Sequence, residues 1–163
     1  MNGSGEGRGT GYLADAVRAA VAQVDDPEYP GVSIVDLGIL EAIRAADADG
    51  AVEVDLVPTV LACPAFRMIE EDVRQAAGSV PGVTSVVVNR LLGVPWTTGR
   101  VTDAGRRALA ESFFVAVRDE GTPVRCPGCG STDVVERSPF GGSRCRSVNW
   151  CPACRNSVEV VRA

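Results

Sequence analysis

The sequence predicts an α+β fold, a two-layer domain of order α-β-β-α-β-α followed by a small four-cysteine metal ribbon. Three observations predict it. Apolar residues recur at helical spacing in three segments and alternate, or run as branched stretches, in three others. Five of the six cysteines are crowded into residues 126–154. The charge also divides. Residues 121–163 carry six arginines against three acids, whereas residues 1–120 carry ten arginines against eighteen, which suggests two modules with different surfaces.

The elements follow in order. Residues 1–11 (MNGSGEGRGTG) are polar and glycine-rich and read as a disordered leader. Leu13, Ala16, Val17, Ala20, Val21 and Val24 sit at three- and four-residue steps, an amphipathic helix over about 12–24. Pro27 and Pro30 break it, since proline removes a helical hydrogen bond and clashes with the preceding turn. Ile34 to Ile43 reads as a strand interrupted near Gly38, and Asp47 to Gly50 (DADG) as a turn. Over Ala51 to Val57, Val52, Val54 and Leu56 alternate with Glu53 and Asp55, so the hairpin buries one face. Pro58 to Cys63 is a loop. Pro64 suits a first helical turn, and Phe66, Ile69, Val73 and Ala76 carry that helix to about Ala77. Val83 to Asn89 is a third strand. Pro95 and Trp96 begin a linker, and Thr102 caps a last helix over about 103–118. The expected domains are therefore the leader at 1–11, the α+β domain at 12–95, a linker and helix at 96–121, and the ribbon at 122–163.

Composition removes most enzyme classes. Of 163 residues, 45% are hydrophobic and 23% charged, which suits a folded chain rather than a disordered one. No run is apolar enough for a membrane span. There is no histidine, so imidazole-based triads, shuttles and zinc sites are excluded. All 16 basic residues are arginine, which excludes Schiff-base chemistry and a phosphate-binding-loop lysine. The polar N-terminal stretch is no secretory signal. A cytoplasmic location is expected, and there clustered cysteines read as metal ligands rather than disulfides.

Cys126-Pro-Gly-Cys129 and Cys151-Pro-Ala-Cys154 are two C-x-x-C knuckles separated by 21 residues. Each brings two thiolates together, and two knuckles offer a tetrahedron of sulfur to Zn²⁺. A closed structural zinc ribbon is expected; a rubredoxin-like iron site uses much the same ligands and remains the alternative. Some forty residues with few large aliphatics need such a metal to fold. Cys145 belongs to neither knuckle. It is read as a buried free thiol, or as an additional thiolate for metal exchange. The tail's arginines and Trp150 could contact nucleic acid, but scattered arginines more often form a solvated face, so nucleic acid is not an expected partner.

Cys63 stands just before a helix, where free N–H groups and the macrodipole lower a thiol pKa. Two readings stay open for it, a small buried residue or a ligand for transient metal or an Fe–S species.

The segment Asp26-Pro27-Glu28-Tyr29-Pro30, followed by Ile34-Val35-Asp36-Leu37-Gly38-Ile39-Leu40, resembles the signature of the Fe–S cluster assembly (FSCA) domain family, which includes SufT-like proteins. Pro58-Thr59 and Cys63-Pro64 match that family's cysteine loop. Pro95-Trp96-Thr97-Thr98, Gly105-Arg106-Arg107-Ala108-Leu109 and the spacing of the tail cysteines resemble one branch, the PaaD branch, small accessory members of multicomponent phenylacetyl-CoA epoxidase systems. The resemblance spans about 12–158. It departs at Ala62, at Asn149, at Arg146 in place of lysine, and at Asn156-Ser157-Val158.

The resemblance implies a non-enzymatic accessory protein of a phenylacetyl-CoA epoxidase-type oxygenase. It would assist maturation of an iron–sulfur cluster or metal centre, with a structural zinc ribbon for docking to its client. Cys63 would then handle Fe or an Fe–S cluster, with Asp36 and Glu28 as further candidates; turn formation and capping are the ordinary roles for those two acids. Partners would be oxygenase or reductase subunits, and self-association is compatible. Two alternatives remain, a permanently bound structural subunit, with Trp96, Phe113 and Phe114 as an interface patch or simply as core, and a rubredoxin-like electron carrier.

Overall fold

In the computed structural model, residues 9–45 and 49–162 are described. The expected leader lies mostly outside them, as does the first half of the Asp47 to Gly50 turn. Thirteen elements follow one another: α1 (Gly9–Val21), β1 (Asp25–Asp26), β2 (Tyr29–Ser33), β3 (Leu40–Ala45), β4 (Ala51–Leu56), α2 (Phe66–Gly78), β5 (Ser85–Arg90), a short 3₁₀ turn (Thr98–Arg100), α3 (Asp103–Phe113), β6 (Val115–Val117), β7 (Val135–Ser138), β8 (Arg146–Cys151) and β9 (Asn156–Val161). The fold is α+β, as the sequence predicts.

A three-stranded sheet of order β3-β4-β5 forms the base of the first unit. β3 and β4 pair antiparallel, and β4 and β5 pair parallel through the α2 crossover. Helices α1 and α2 pack together over the sheet. α2 follows its sequence period, burying Phe66, Ile69, Val73 and Ala77. From β4, Val52, Val54 and Leu56 enter the same core, with Val17 and Val21 of α1.

Asp55 departs from the simple polar face expected of β4, because its side chain is only 8% exposed. Arg44 on β3 donates two hydrogen bonds to it, one of 2.8 Å, and Asn89 on β5 donates a third of 2.9 Å. One carboxylate thus ties three strands together. Those bonds, led by Arg44, hold Asp55 below the usual carboxylate range. A group whose folded pKa is lowered stabilises above its unfolded pKa and loses that contribution as pH falls through the folded value. Asp55→Asn is therefore expected to be about 1–3 kcal/mol less stable than wild type at pH 7. In denaturant titrations at successively lower pH, that gap should close below the unfolded carboxylate range of about 4.

Four elements differ from expectation. α1 starts at Gly9 and ends at Val21, earlier than predicted at both ends. The proline-broken segment is a two-stranded ribbon, with β1 pairing β2. The branched run from Ile34 is no strand up to Gly38. The Leu37 N–H bonds the Ser33 carbonyl and the Gly38 N–H bonds that of Val35, closing a turn. Gly38 takes φ +68°, and a Cβ there would collide with Arg100. Ile34, Leu37 and Ile39 are buried from this turn, so apolarity alone signalled the core and not the strand.

The fourth difference joins the modules. α3 ends at Phe113 rather than 118, because Phe114 adopts φ 57° and stops the helix. The chain then enters β6, inside the expected linker. β6 pairs parallel with β9 in a four-stranded sheet of order β6-β9-β8-β7. Val115 and Val161, from its two neighbouring strands, lie in the main core, whereas Ala116, Val124, Val158 and Val160 form a smaller one around Cys126 and Cys151. The ribbon is thus packed onto the first unit. Trp96 is buried and its indole N–H donates to the Leu37 carbonyl at 2.9 Å. Phe113 stacks edge-on against Tyr29. Both are packing residues, not an exposed patch.

Candidate metal centre and thiol cavity

The two knuckles converge. Cys126 and Cys129 sit on the loop before β7, Cys151 ends β8, and Cys154 lies in the turn before β9. Their four sulfurs all lie within 4.8 Å of one another, the single such cluster of potential ligands among the described residues. Cys126 Sγ and Cys154 Sγ are 3.6 Å apart, as are Cys129 Sγ and Cys151 Sγ. A tetrahedron with Zn–S of about 2.3 Å has edges of about 3.8 Å, so the donor set fits zinc closely. All six cysteines are free thiols. Each knuckle closes with a left-handed residue, Gly130 at φ 72° and Arg155 at φ 56°. The Gly130 N–H returns to the Cys126 carbonyl, and the Arg155 N–H to that of Cys151, at 2.9 and 2.8 Å. Glycine takes that conformation freely, whereas Arg155 is held in it against its preference. A zinc ion held by four thiolates has no open position and supplies a cross-link rather than water activation.

The remaining two cysteines meet elsewhere. Cys63 comes from the loop after β4, and Cys145 from the residue before β8, 82 positions later. Both line one narrow, partly open cavity, with about 30 Å³ open to the centre of a water molecule. Asp26, Glu28 and Tyr29 of the β1–β2 ribbon line it too, and Phe66, Ile69, Trp96 and Val161 supply apolar walls. The ribbon closes it. Arg146, beside Cys145, donates to Glu159 at 2.5 Å and to Ser143 at 2.9 Å. It also reaches Glu28 at 3.4 Å and stacks over the Tyr29 ring at 5.3 Å. The Glu28 N–H donates to Asp26 at 2.8 Å.

Burial governs the chemistry of this cavity. It pushes the Cys63 thiol up, with the charges of Glu28 and Asp26 adding to the rise; the N–H groups of Ala65 and Phe66 only partly oppose it. The lowering expected from the helix N-terminus is thus outweighed. α2 also begins at Phe66, three residues past the sulfur. Burial likewise raises Cys145 and Asp26. A raised thiol is protonated at neutral pH and little reactive. Alkylation of Cys63, followed by peptide mass spectrometry, should run slower than that of a free thiol at neutral pH and approach it only well above the ordinary thiol pKa of about 8.5.

Of the sequence candidates, Cys63 and Glu28 share the cavity, and Cys145 joins them. Asp36 does not line it. Its carboxylate accepts from the Thr102 hydroxyl at 2.6 Å and its carbonyl from the Thr102 N–H at 2.9 Å, which anchors the N-cap of α3. Tyr29 and Asp26 are cavity residues that sequence reasoning missed; both fall in the motif Asp26 to Pro30, where the proline-rich turn is the stronger signal.

The profile of the family described as iron-sulfur cluster assembly protein matches residues 14–88, and that of the PaaD zinc beta ribbon domain matches residues 111–162. An Escherichia coli protein named as a component of 1,2-phenylacetyl-CoA epoxidase is 31% identical over 88% of this chain and 89% of its own length. The chain belongs to the PaaD family. Its first unit is also similar to the Bacillus subtilis Fe-S protein maturation auxiliary factor YitW, 31% identical over 60% of this chain and 93% of that one. A solved structure of a domain of unknown function from Bacillus anthracis superposes with a TM-score of 0.58 at 28% identity, covering 63% of this chain and 95% of that one. The PaaD chain therefore combines an FSCA-type unit with a ribbon carrying four potential zinc ligands. No helix among its described residues is long and apolar enough to cross a membrane.

Proposed function

We propose that this PaaD protein is a non-catalytic accessory factor that assists maturation of an iron–sulfur cluster or metal centre in a multicomponent oxygenase of the phenylacetyl-CoA epoxidase type. Cys63 is the thiol that handles the incoming iron or cluster, which is cargo rather than a resident cofactor. Zinc on Cys126, Cys129, Cys151 and Cys154 is structural. The observation that carries the reading is the setting of Cys63: a half-buried thiol at a narrow cavity between the FSCA unit and the ribbon, in a chain with neither histidine nor lysine. Such a thiol lacks a base to make it a hydrolytic nucleophile, yet is suited to hold a soft metal species. The similarity of the first unit to a maturation factor and of the whole chain to an epoxidase component supports the same direction. Oxygenase or reductase subunits would be the protein partners, in the cytoplasm.

The test is client loading. Cys63→Ala should keep the fold and one zinc per chain, yet leave the co-expressed client with much less iron and sulfide than wild type supports. A client loaded normally beside the variant would refute the role. The Escherichia coli relative is named as a part of its enzyme, which favours a second reading, a structural component that stays bound. Purification of the oxygenase with this chain at fixed stoichiometry would support that reading over transient assistance.

A further inference from the structure

Cys63 and Cys145 belong to different modules, and nothing in their local sequence pairs them; the fold nevertheless brings both to one cavity with two carboxylates. We propose a second metal site between the FSCA unit and the ribbon, in which Cys63 and Cys145 supply two sulfur ligands and Glu28 or Asp26 an oxygen ligand to a single divalent cation such as iron(II).

Three observations support it. The donor set mixes two thiols with carboxylates and no histidine, which suits a borderline or soft divalent ion. The cavity also has room, with about 30 Å³ open to the centre of a water molecule, which admits an ion with a bound water. Third, Tyr29 is 4% exposed and lines the cavity, and its hydroxyl has no hydrogen-bond partner among the described residues. Buried hydroxyls are normally paired, and an ion with its water would supply the missing partner. Binding replaces the two thiol protons, which leave to solvent, with two S–metal bonds; no electron moves. Unlike the four ribbon sulfurs, these groups are not already gathered within ligand distance of one another, so the cavity walls must close inward to bind the ion, and that cost leaves it more weakly held than the zinc.

The inference rests on the proposed role only in treating Cys63 as a metal-handling thiol. Its test uses no client, so the two can fail separately. Cobalt(II) is titrated anaerobically into the full-length, zinc-loaded protein, with zinc content measured before and after. Expected is one further equivalent of cobalt with zinc retained, and near-ultraviolet thiolate-to-cobalt absorption. Cys63→Ser and Cys145→Ser should each weaken binding by at least the tenfold or so that even an outer-shell partner is worth. Undiminished cobalt binding in Cys145→Ser, release of zinc in proportion to cobalt bound, or no second equivalent would each overturn the site. Should either variant lose its fold, the wild type decides. Cobalt must protect Cys63 and Cys145 together from alkylation, and protection of one alone or of neither contradicts the proposal.

Discussion

Replacing Cys151 with serine is expected to remove zinc from the chain and unfold the ribbon. Cys151 is fully buried between Ala116, Val124, Val158 and Val160, a core of four small or medium aliphatic side chains. That much apolar surface cannot offset the ordering of some forty residues, each losing about 1–2 kcal/mol of backbone entropy. Structural zinc in comparable small domains contributes on the order of 10–16 kcal/mol, as much as the whole stability of a typical domain, about 5–15 kcal/mol. The damage should spread, because Val115 and Val161 also serve the main core. Hydrogen exchange should lose protection across β7, β8 and β9 first and weaken it at α3, while β4 and α2 stay protected. A zinc-free variant with a native exchange pattern would show that side chains alone hold the ribbon.

Arg146→Ala is expected to cost about 2–3 kcal/mol and to open the cavity, since breaking a fully buried pair costs about 3–5 kcal/mol and partial exposure reduces that here. The Arg146 side chain is 14% exposed, and the carboxylates of Glu28 and Glu159 lie against it, each about two-thirds buried. Removing the guanidinium leaves both without their cation and uncovers the Tyr29 ring. Denaturant unfolding reads the first effect. The second appears as faster alkylation of Cys63 and Cys145 at fixed pH, with zinc retained. Unchanged thiol reactivity would mean that the ribbon does not close the cavity.

Sequence legibility followed the range of the signal. Helix α2 and strand β4 were readable because their buried residues repeat within a few positions, as in Phe66, Ile69 and Val73 or Val52, Val54 and Leu56. The metal centre was readable because each knuckle is local and needs no knowledge of the fold. The run from Ile34 misled for the opposite reason, since a continuous apolar stretch has no period to separate a strand from a buried turn. Strand β6 was hidden by Phe113 and Phe114, which fit a continuing helix; only the left-handed backbone at Phe114 turns the chain into the ribbon sheet. The meeting of Cys63 and Cys145 has no local trace at all. It arises because β9 lies beside β6 and carries the β8 end, with Arg146, over Glu28 and Tyr29. Asp36 stood in a family motif, yet its neighbours make it an anchor for α3.

The central claim is that four sulfurs close around one zinc and leave the other two cysteines free. Native mass spectrometry of anaerobically purified protein, combined with metal analysis and thiol counting after unfolding in chelator, tests it directly. The account predicts a colourless protein with one zinc per chain and all six cysteines titrating as thiols. A red iron-containing protein, or a metal-free one whose ribbon cysteines are joined in disulfides, would contradict it.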